Sequence, residues 1–118
     1  MKEFLLLIRT EGDYCEEMSA EQHKVHVQRV SNYIQKLTYE GRLKSAQPLT
    51  AEGRVLQGVK GVFKDGPFIE SKEVIIGYFL ILANDINEAL EIAKANPVFE
   101  ETDARIEIRE IKHEEGVN

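Results

Sequence analysis

Two histidines and one charged segment carry most of the chemistry that this sequence offers. His23 and His26 lie three residues apart in a stretch with helical periodicity, and the segment 64–73 combines a turn signal with several charged side chains. An imidazole titrates near neutral pH and can act as a general acid or base. A carboxylate beside it can hold it in one orientation. These residue types indicate acid–base chemistry on a small molecule.

His26 is the strongest single candidate for a catalytic group. At about 100° per residue it falls within about 40° of Val30, Tyr33 and Leu37, so it faces the predicted sheet from the first turns of a helix. We interpret it as a general acid or base. The alternative is a histidine at the edge of the core whose ring is bonded to a backbone carbonyl.

Asp65 is the carboxylate that we expect to orient or polarise His26, as the second catalytic residue. It precedes Gly66 and Pro67, and Asp-Gly pairs are common in turns, so a purely structural role is the alternative. The distance between the His26 and Asp65 side chains decides between the catalytic and the structural role of Asp65. Beyond about 8 Å, with no shared cavity, they cannot act together, because catalytic partners need hydrogen-bond reach directly or through one water.

Five further residues are predicted to line a cleft and bind a ligand. They are His23, Phe68, Glu70, Lys72 and Glu73. For the charged residues, the alternative is a solvated strand face or salt bridges between subunits, which stabilise little at a surface. Phe68 could be an aromatic lid, but a side chain that plugs the core is the simpler interpretation.

Metal and cofactor sites are not predicted. His23 and His26 could share an ion, but such a site needs at least one more ligand, and no spacing requires Glu21 or Asp65 to supply it. Glycine patterns that cradle phosphates or dinucleotides are absent, so we expect no cofactor. Cys15 is the single cysteine; we interpret it as an exposed thiol in a polar loop, and it rules out an internal disulfide.

Composition narrows the class of protein. The 118 residues suggest one domain spanning 1–118. The net charge of −6, with 21 acidic and 15 basic residues, argues against nucleic-acid binding, which depends on Lys and Arg. No basic run points to a membrane surface, and the apolar run 4–8 is too short for a signal peptide or a span. We expect a cytoplasmic protein.

The elements that position the candidate residues follow from capping and periodicity. Ser19 and Gln22 resemble a capping box at the start of a helix that reaches about Glu40, with Gly41 as its terminator. A second helix is predicted from Asp85 to about residue 96. Strands are predicted at Phe4–Arg9, Leu43–Leu49, Arg54–Phe63, Val74–Leu82 and Arg105–Ile111.

The order of these elements predicts the fold. We expect residues 43–63 to form one hairpin, with Gly58 and Gly61 marking a bulge or a close approach. With that hairpin merged, the order is the split βαβ, ferredoxin-like pattern: an α+β fold with one antiparallel sheet and two helices on one face. The strand 74–82 is apolar on both faces. A second subunit is therefore expected to cover the open face in a homodimer.

The sequence also resembles a known family. Asp65-Gly66-Pro67-Phe68, followed by Glu70, Lys72 and Glu73 and by Gly77 in a strand, is similar to the DGPF signature of the YCII-related proteins. Further similarity covers nearly the whole chain, at Gly41-Arg42-Leu43, Asp85–Ala89, Ala93–Pro97 and Ile106–Arg109.

The resemblance implies a dimeric α+β barrel of the ferredoxin-like type. The wider superfamily includes muconolactone-isomerase-like enzymes and monooxygenases that act on small organic molecules, and some relatives are encoded or fused with sigma factors. For YCII-type relatives, a histidine–aspartate pair in a cleft has been proposed as a catalytic dyad.

Three hypotheses about function remain open from the sequence. The first is a cofactor-independent enzyme that acts on a small organic ligand with His26 and Asp65. The second is a non-catalytic dimeric module that binds a ligand or a regulatory protein through the same cleft. The third is that the segment 64–73 only stabilises the dimer.

Overall fold

The computed structural model of the chain describes residues 1–66 and 73–118. Phe68, Glu70 and Lys72, which were predicted to bind a ligand, therefore lie outside the described residues. In chain order, the described elements are β1 Lys2–Glu11, α1 Ala20–Tyr39, β2 Leu43–Pro48, β3 Val55–Val59, β4 Val62–Gly66, β5 Glu73–Ala83, α2 Ile86–Lys94, α3 Val98–Glu101 and β6 Ala104–Glu110.

Four of the strands form one antiparallel sheet in the order β2-β5-β1-β6. The two central strands are β1 and β5, and the strand predicted to be central at 74–82 is therefore confirmed in that position. The order is that of a split βαβ fold with a hairpin inserted between β2 and β5. The predicted α+β, ferredoxin-like class is confirmed.

The two predicted helices, α1 and α2, begin where their capping residues predict, and α1 ends just before its predicted glycine. The Ser19 side chain accepts a hydrogen bond from the Gln22 N–H, and the Gln22 side chain accepts one from the Ser19 N–H. Gly41 follows α1 with a φ of 71°, which glycine adopts without steric cost. Asp85 accepts a hydrogen bond from the Glu88 N–H at 2.8 Å and caps α2. Within the described ranges, no helix is long and apolar enough to cross a bilayer.

The core lies between one face of the sheet and the helices. Alternate residues of β1 are buried on this face, and Tyr33 and Leu37 of α1 pack against them, together with Ala89 and Ala93 of α2. The small alanines let α2 lie close to the sheet. The other face of β1, which carries Leu5 and Leu7, is half-buried in the single chain.

The prediction of a single hairpin over residues 43–63 was wrong. β2 pairs with β5, whereas β3 pairs with β4 in a separate two-stranded sheet. Lys60 and Gly61 connect β3 to β4 with φ values of 48° and 86°. Two central residues with positive φ are characteristic of the two-residue hairpin turn that matches strand twist. Gly61 therefore reverses the chain, where the sequence had suggested a bulge or a close approach. The close approach occurs at Gly58, where a Cβ would lie 2.7 Å from the ring of Phe63.

Candidate active site

Three chain segments meet at one end of the main sheet. The strands β1 and β6 pair there through Thr10 and Ala104, so the segment that follows β1 and the segment that precedes β6 lie side by side. The first is a short 3₁₀ turn, Tyr14–Glu17, and the second is α3. The first turns of α1 follow the 3₁₀ turn directly. Residues that are distant in the sequence are therefore brought together at this end.

A cavity of about 380 Å³ opens beside these segments. Most of its wall is apolar and includes Ile8, Val30, Ile34, Ile76, Phe79 and Val98. The wall also carries a few polar side chains, among them Cys15, His26, Asn96 and Glu101. An apolar cavity with a small number of polar groups is the usual form of a site for a small molecule.

His26 and Glu101 form the central polar contact of this wall. Nδ1 of His26 lies 2.7 Å from Oε1 of Glu101, although the residues are 75 positions apart. The His26 side chain is 20% exposed and the Glu101 side chain only 4%. Because the Glu101 side chain is so little exposed, water competes weakly for its oxygens, and a hydrogen bond to the carboxylate is stronger than it would be at a surface.

Glu101 has two further partners that keep it charged. The Tyr14 hydroxyl donates to Oε1 at 2.8 Å, and Nη1 of Arg29 lies 3.4 Å from Oε2. Burial acts to raise the pKa of Glu101, but the hydrogen bonds from His26 and Tyr14, with the nearby cations, outweigh it and hold the pKa below its ordinary value. The carboxylate is therefore ionised at neutral pH.

The ionised carboxylate determines which nitrogen of His26 carries the proton. A carboxylate can only accept, so a neutral His26 ring must donate from Nδ1, and its Nε2 presents a lone pair. Sγ of Cys15 lies 3.7 Å from this Nε2. Burial first, and then the negative charge of Asp13, raises the pKa of the Cys15 thiol. The thiol is therefore protonated at neutral pH and can donate to Nε2.

The structure places Asp65 away from this contact. Asp65 lies on β4, in the separate hairpin, where its Oδ2 is 3.3 Å from Nη2 of Arg54. It is not among the described residues that line the cavity. The carboxylate on His26 is Glu101 and not Asp65, because α3, unlike β4, packs beside the start of α1.

The other candidate ligand-binding residues within the described ranges also lie off the cavity wall. His23 is exposed on α1, with its ring centroid 6.1 Å from that of His26. Glu73 begins β5, and its Oε1 lies 3.3 Å from Nε of Arg105. In the part of the chain that the structure describes, no three His, Cys, Asp or Glu side chains are grouped as ligands of one metal ion.

Two residues of the site were missed or misjudged from the sequence. Glu101 ends α3, a helix that was not predicted, although Asn96-Pro97 before two glutamates is a helix-start signal. The Asn96 side chain accepts a hydrogen bond from the Val98 N–H at 2.9 Å. Cys15, interpreted as an exposed thiol, is half-buried, because the 3₁₀ turn capped by Asp13 folds it against α1.

The fold and the site together define a ferredoxin-like α+β protein with an apolar cavity and a histidine–carboxylate pair in its wall. Residues 3–115 match the family model of the YCII-related domain. This match covers nearly the whole chain, and the protein belongs to the YCII-related domain family. A search of curated proteins found no match.

Proposed function

We propose that this chain is a cofactor-independent enzyme that performs acid–base chemistry on a small, largely apolar molecule. His26 is the catalytic group, and Glu101 is the residue that positions it. The observation that carries the proposal is the 2.7 Å contact between Nδ1 of His26 and Oε1 of Glu101 in the wall of an apolar cavity.

The contact supports catalysis in two ways. Glu101 holds the imidazole in one tautomer and one orientation, which leaves Nε2 as the base. When Nε2 takes a proton, the adjacent carboxylate stabilises the imidazolium that forms. A positioned base of this kind contributes about 10²–10⁴-fold to a rate.

The cavity supports the substrate class. Its volume of about 380 Å³ suits a small organic molecule, near the lower end of the range for ligand pockets. The apolar wall favours a substrate that is itself mostly apolar. A compound with an acidic C–H group next to an electron-withdrawing group would offer His26 a proton to remove.

A generic proton-transfer probe tests the proposal without knowledge of the natural substrate. 5-Nitrobenzisoxazole is small and flat, and it opens to a coloured phenolate when a base removes its C–H proton. We expect the protein to accelerate this opening and His26→Gln to lower the rate by about 100-fold. The matched control is His113→Gln, which changes an exposed histidine after β6 and should leave the rate unchanged.

Two measurements complete the test. Circular dichroism and melting temperature must show that His26→Gln is folded. A folded His26→Gln protein as fast as the unchanged protein contradicts the proposal. So does an unchanged protein that binds the probe but opens it no faster than the folded variant, which is the behaviour of a non-catalytic binding module.

We also propose that the chain forms a homodimer through the open face of the main sheet. Leu5, Leu7, Tyr78 and Leu80 are half-exposed on the face opposite the helices. The separate hairpin adds further exposed apolar side chains: Val55, Leu56, Val59, Val62 and Phe63. Apolar surface of this extent commonly marks a contact with another protein, and a C2 dimer closes it with the fewest subunits.

Sedimentation velocity tests the dimer. We expect the unchanged protein to sediment as a dimer and Leu80→Arg to sediment as a folded monomer, because a charge buried at the centre of a symmetric interface is left unpaired in both subunits. Leu90→Arg, an exposed position on α2, is the matched control and should remain dimeric. An unchanged protein that stays monomeric at high concentration contradicts the proposal.

A further inference from the structure

We infer that Cys15 is a nucleophile that takes an acyl group from a small activated ester or thioester, with His26 as its base and Glu101 holding His26 in place. This inference rests on the proposed function, because it uses the same cavity and the same base. It adds a covalent step and a substrate class to that site.

The geometry is that of a nucleophile, a base and an orienting carboxylate in a row. Sγ of Cys15 lies 3.7 Å from Nε2 of His26, and Nδ1 of His26 lies 2.7 Å from Oε1 of Glu101. All three side chains line one cavity. This order of groups is how enzymes activate a weak nucleophile, and it is recognised by geometry and not by position in the sequence.

The state of the thiol explains why it needs the base. Burial raises the pKa of Cys15, so the thiol does not ionise by itself at neutral pH. The thiolate, not the thiol, is the nucleophile. His26 must therefore remove the proton as the substrate arrives, and the reactivity of Cys15 should depend on His26.

Asn96 is a second, independent sign of a ligand with an acceptor oxygen. The residue borders the cavity and is 4% exposed. Its Oδ1 accepts from the Val98 N–H, but its Nδ2 is buried and has no hydrogen-bond partner among the described residues. Buried polar atoms without a partner are rare in native proteins. If the Asn96 side chain turned its enclosed Nδ2 toward the cavity that it borders, an acyl oxygen would supply the missing acceptor, and the amide would stabilise negative charge on it.

The reaction balances with water as the only co-substrate. The Cys15 proton moves to Nε2 of His26 while sulfur bonds to the acyl carbon. As the bond from carbon to the leaving alcohol or thiol breaks, the imidazolium gives that proton to the leaving group. Water, deprotonated by Nε2, then attacks the thioester, which releases a carboxylic acid, and the proton returns to sulfur. No oxidant or reductant is required.

p-Nitrophenyl butyrate is a suitable probe because its acyl group is small and apolar. We expect a burst of nitrophenolate and a butyryl group on the protein, located by peptide mass spectrometry. Since the chain has one cysteine, any thioester marks Cys15. Cys15→Ala should form no thioester. His26→Gln should slow acylation of the thiol by about 100-fold, and Glu100→Gln, an exposed neighbour of Glu101, should leave it unchanged.

A second readout separates activation from simple access to the thiol. Alkylation of Cys15 by iodoacetamide should be faster in the unchanged protein than in folded His26→Gln at neutral pH, and the difference should vanish in alkali, where the thiol ionises without a base. An alkylation rate that His26→Gln leaves unchanged at neutral pH overturns the inference.

The acylation results also distinguish the two proposals. Labelling of lysines alone, or acylation of Cys15 that His26→Gln does not slow, overturns the nucleophile. If the benzisoxazole still opens in a His26-dependent way, the acid–base function stands while the acyl step falls. If His26→Gln changes neither probe, both proposals fall together.

Discussion

Phe79→Ala is expected to lower the free energy of unfolding by about 3–5 kcal/mol, the usual cost of removing a buried phenylalanine. Phe79 lies on the central strand β5 and is 8% exposed. Its ring meets that of Tyr33 edge to face, with 5.4 Å between centroids. Since Phe79 also lines the cavity, its loss joins new empty space to the existing one and little repacking can fill it.

Urea denaturation followed by circular dichroism measures this effect. Phe99→Ala is the matched control, because Phe99 is 45% exposed and surface changes usually stay within about 0.5 kcal/mol. A Phe79→Ala loss no larger than that of the control would show that Phe79 packs less tightly than its burial indicates.

Glu101→Gln is expected to destabilise the protein by about 1–3 kcal/mol at neutral pH, the cost of losing hydrogen bonds to a charged group. The carboxylate accepts from both His26 and Tyr14, and such bonds are roughly twice as strong as bonds between neutral groups. The glutamine side chain has the same shape as the glutamate side chain but carries no charge. The substitution therefore isolates the electrostatic part of the contact.

The effect of Glu101→Gln should depend on pH in one direction. The pKa of Glu101 is lower in the folded protein than its ordinary value of 4.5. A group of this kind stabilises the fold above its unfolded pKa and loses that contribution as the pH falls through its folded pKa. The stability difference between the two proteins should be full at neutral pH and shrink below about pH 4.

Denaturation curves at neutral pH, near pH 5 and near pH 3 test this dependence, each pH chosen from the direction of the shift. Glu100→Gln is the matched control, since Glu100 is exposed and its nearest cation, Nε of Arg29, lies 3.6 Å away. A difference for Glu101→Gln that is equal at all three pH values would mean that the charge of Glu101 contributes nothing to folding.

The local parts of the fold could be predicted from the sequence because their signals are local. Ser19 and Asp85 cap the helices that follow them, and Gly41 ends α1, since each acts on backbone groups a few residues away. The turn at Lys60 was missed because it has almost no local signal in the sequence. Lysine rarely adopts a positive φ, so nothing marked the turn except Gly61.

The histidine–carboxylate pair could be predicted only in part. The position of His26 on the sheet-facing side of α1 followed from helical periodicity. Its partner did not, because the contact with Glu101 depends on strand register, in which Thr10 pairs with Ala104. The split βαβ order does place the segment after the first strand and the segment before the last strand at the same end of the sheet. The start of α3 is also signalled in the sequence, by Asn96-Pro97. Asp65 was favoured because its segment resembles the family signature, and a resemblance in sequence does not give the distance from Asp65 to His26.

The pairing of β1 has a consequence for how the protein is made. β1 is synthesised before both of its partners, β5 and β6, which emerge much later. When α1 and its His26 have left the ribosome, β5 and β6 have not yet been made. β1 then still lacks both of its neighbouring strands. Contacts of such long sequence separation form slowly. The site can exist only after Glu101 and β6 have left the exit tunnel, so the nascent chain carries an apolar strand that must be kept from aggregation until then.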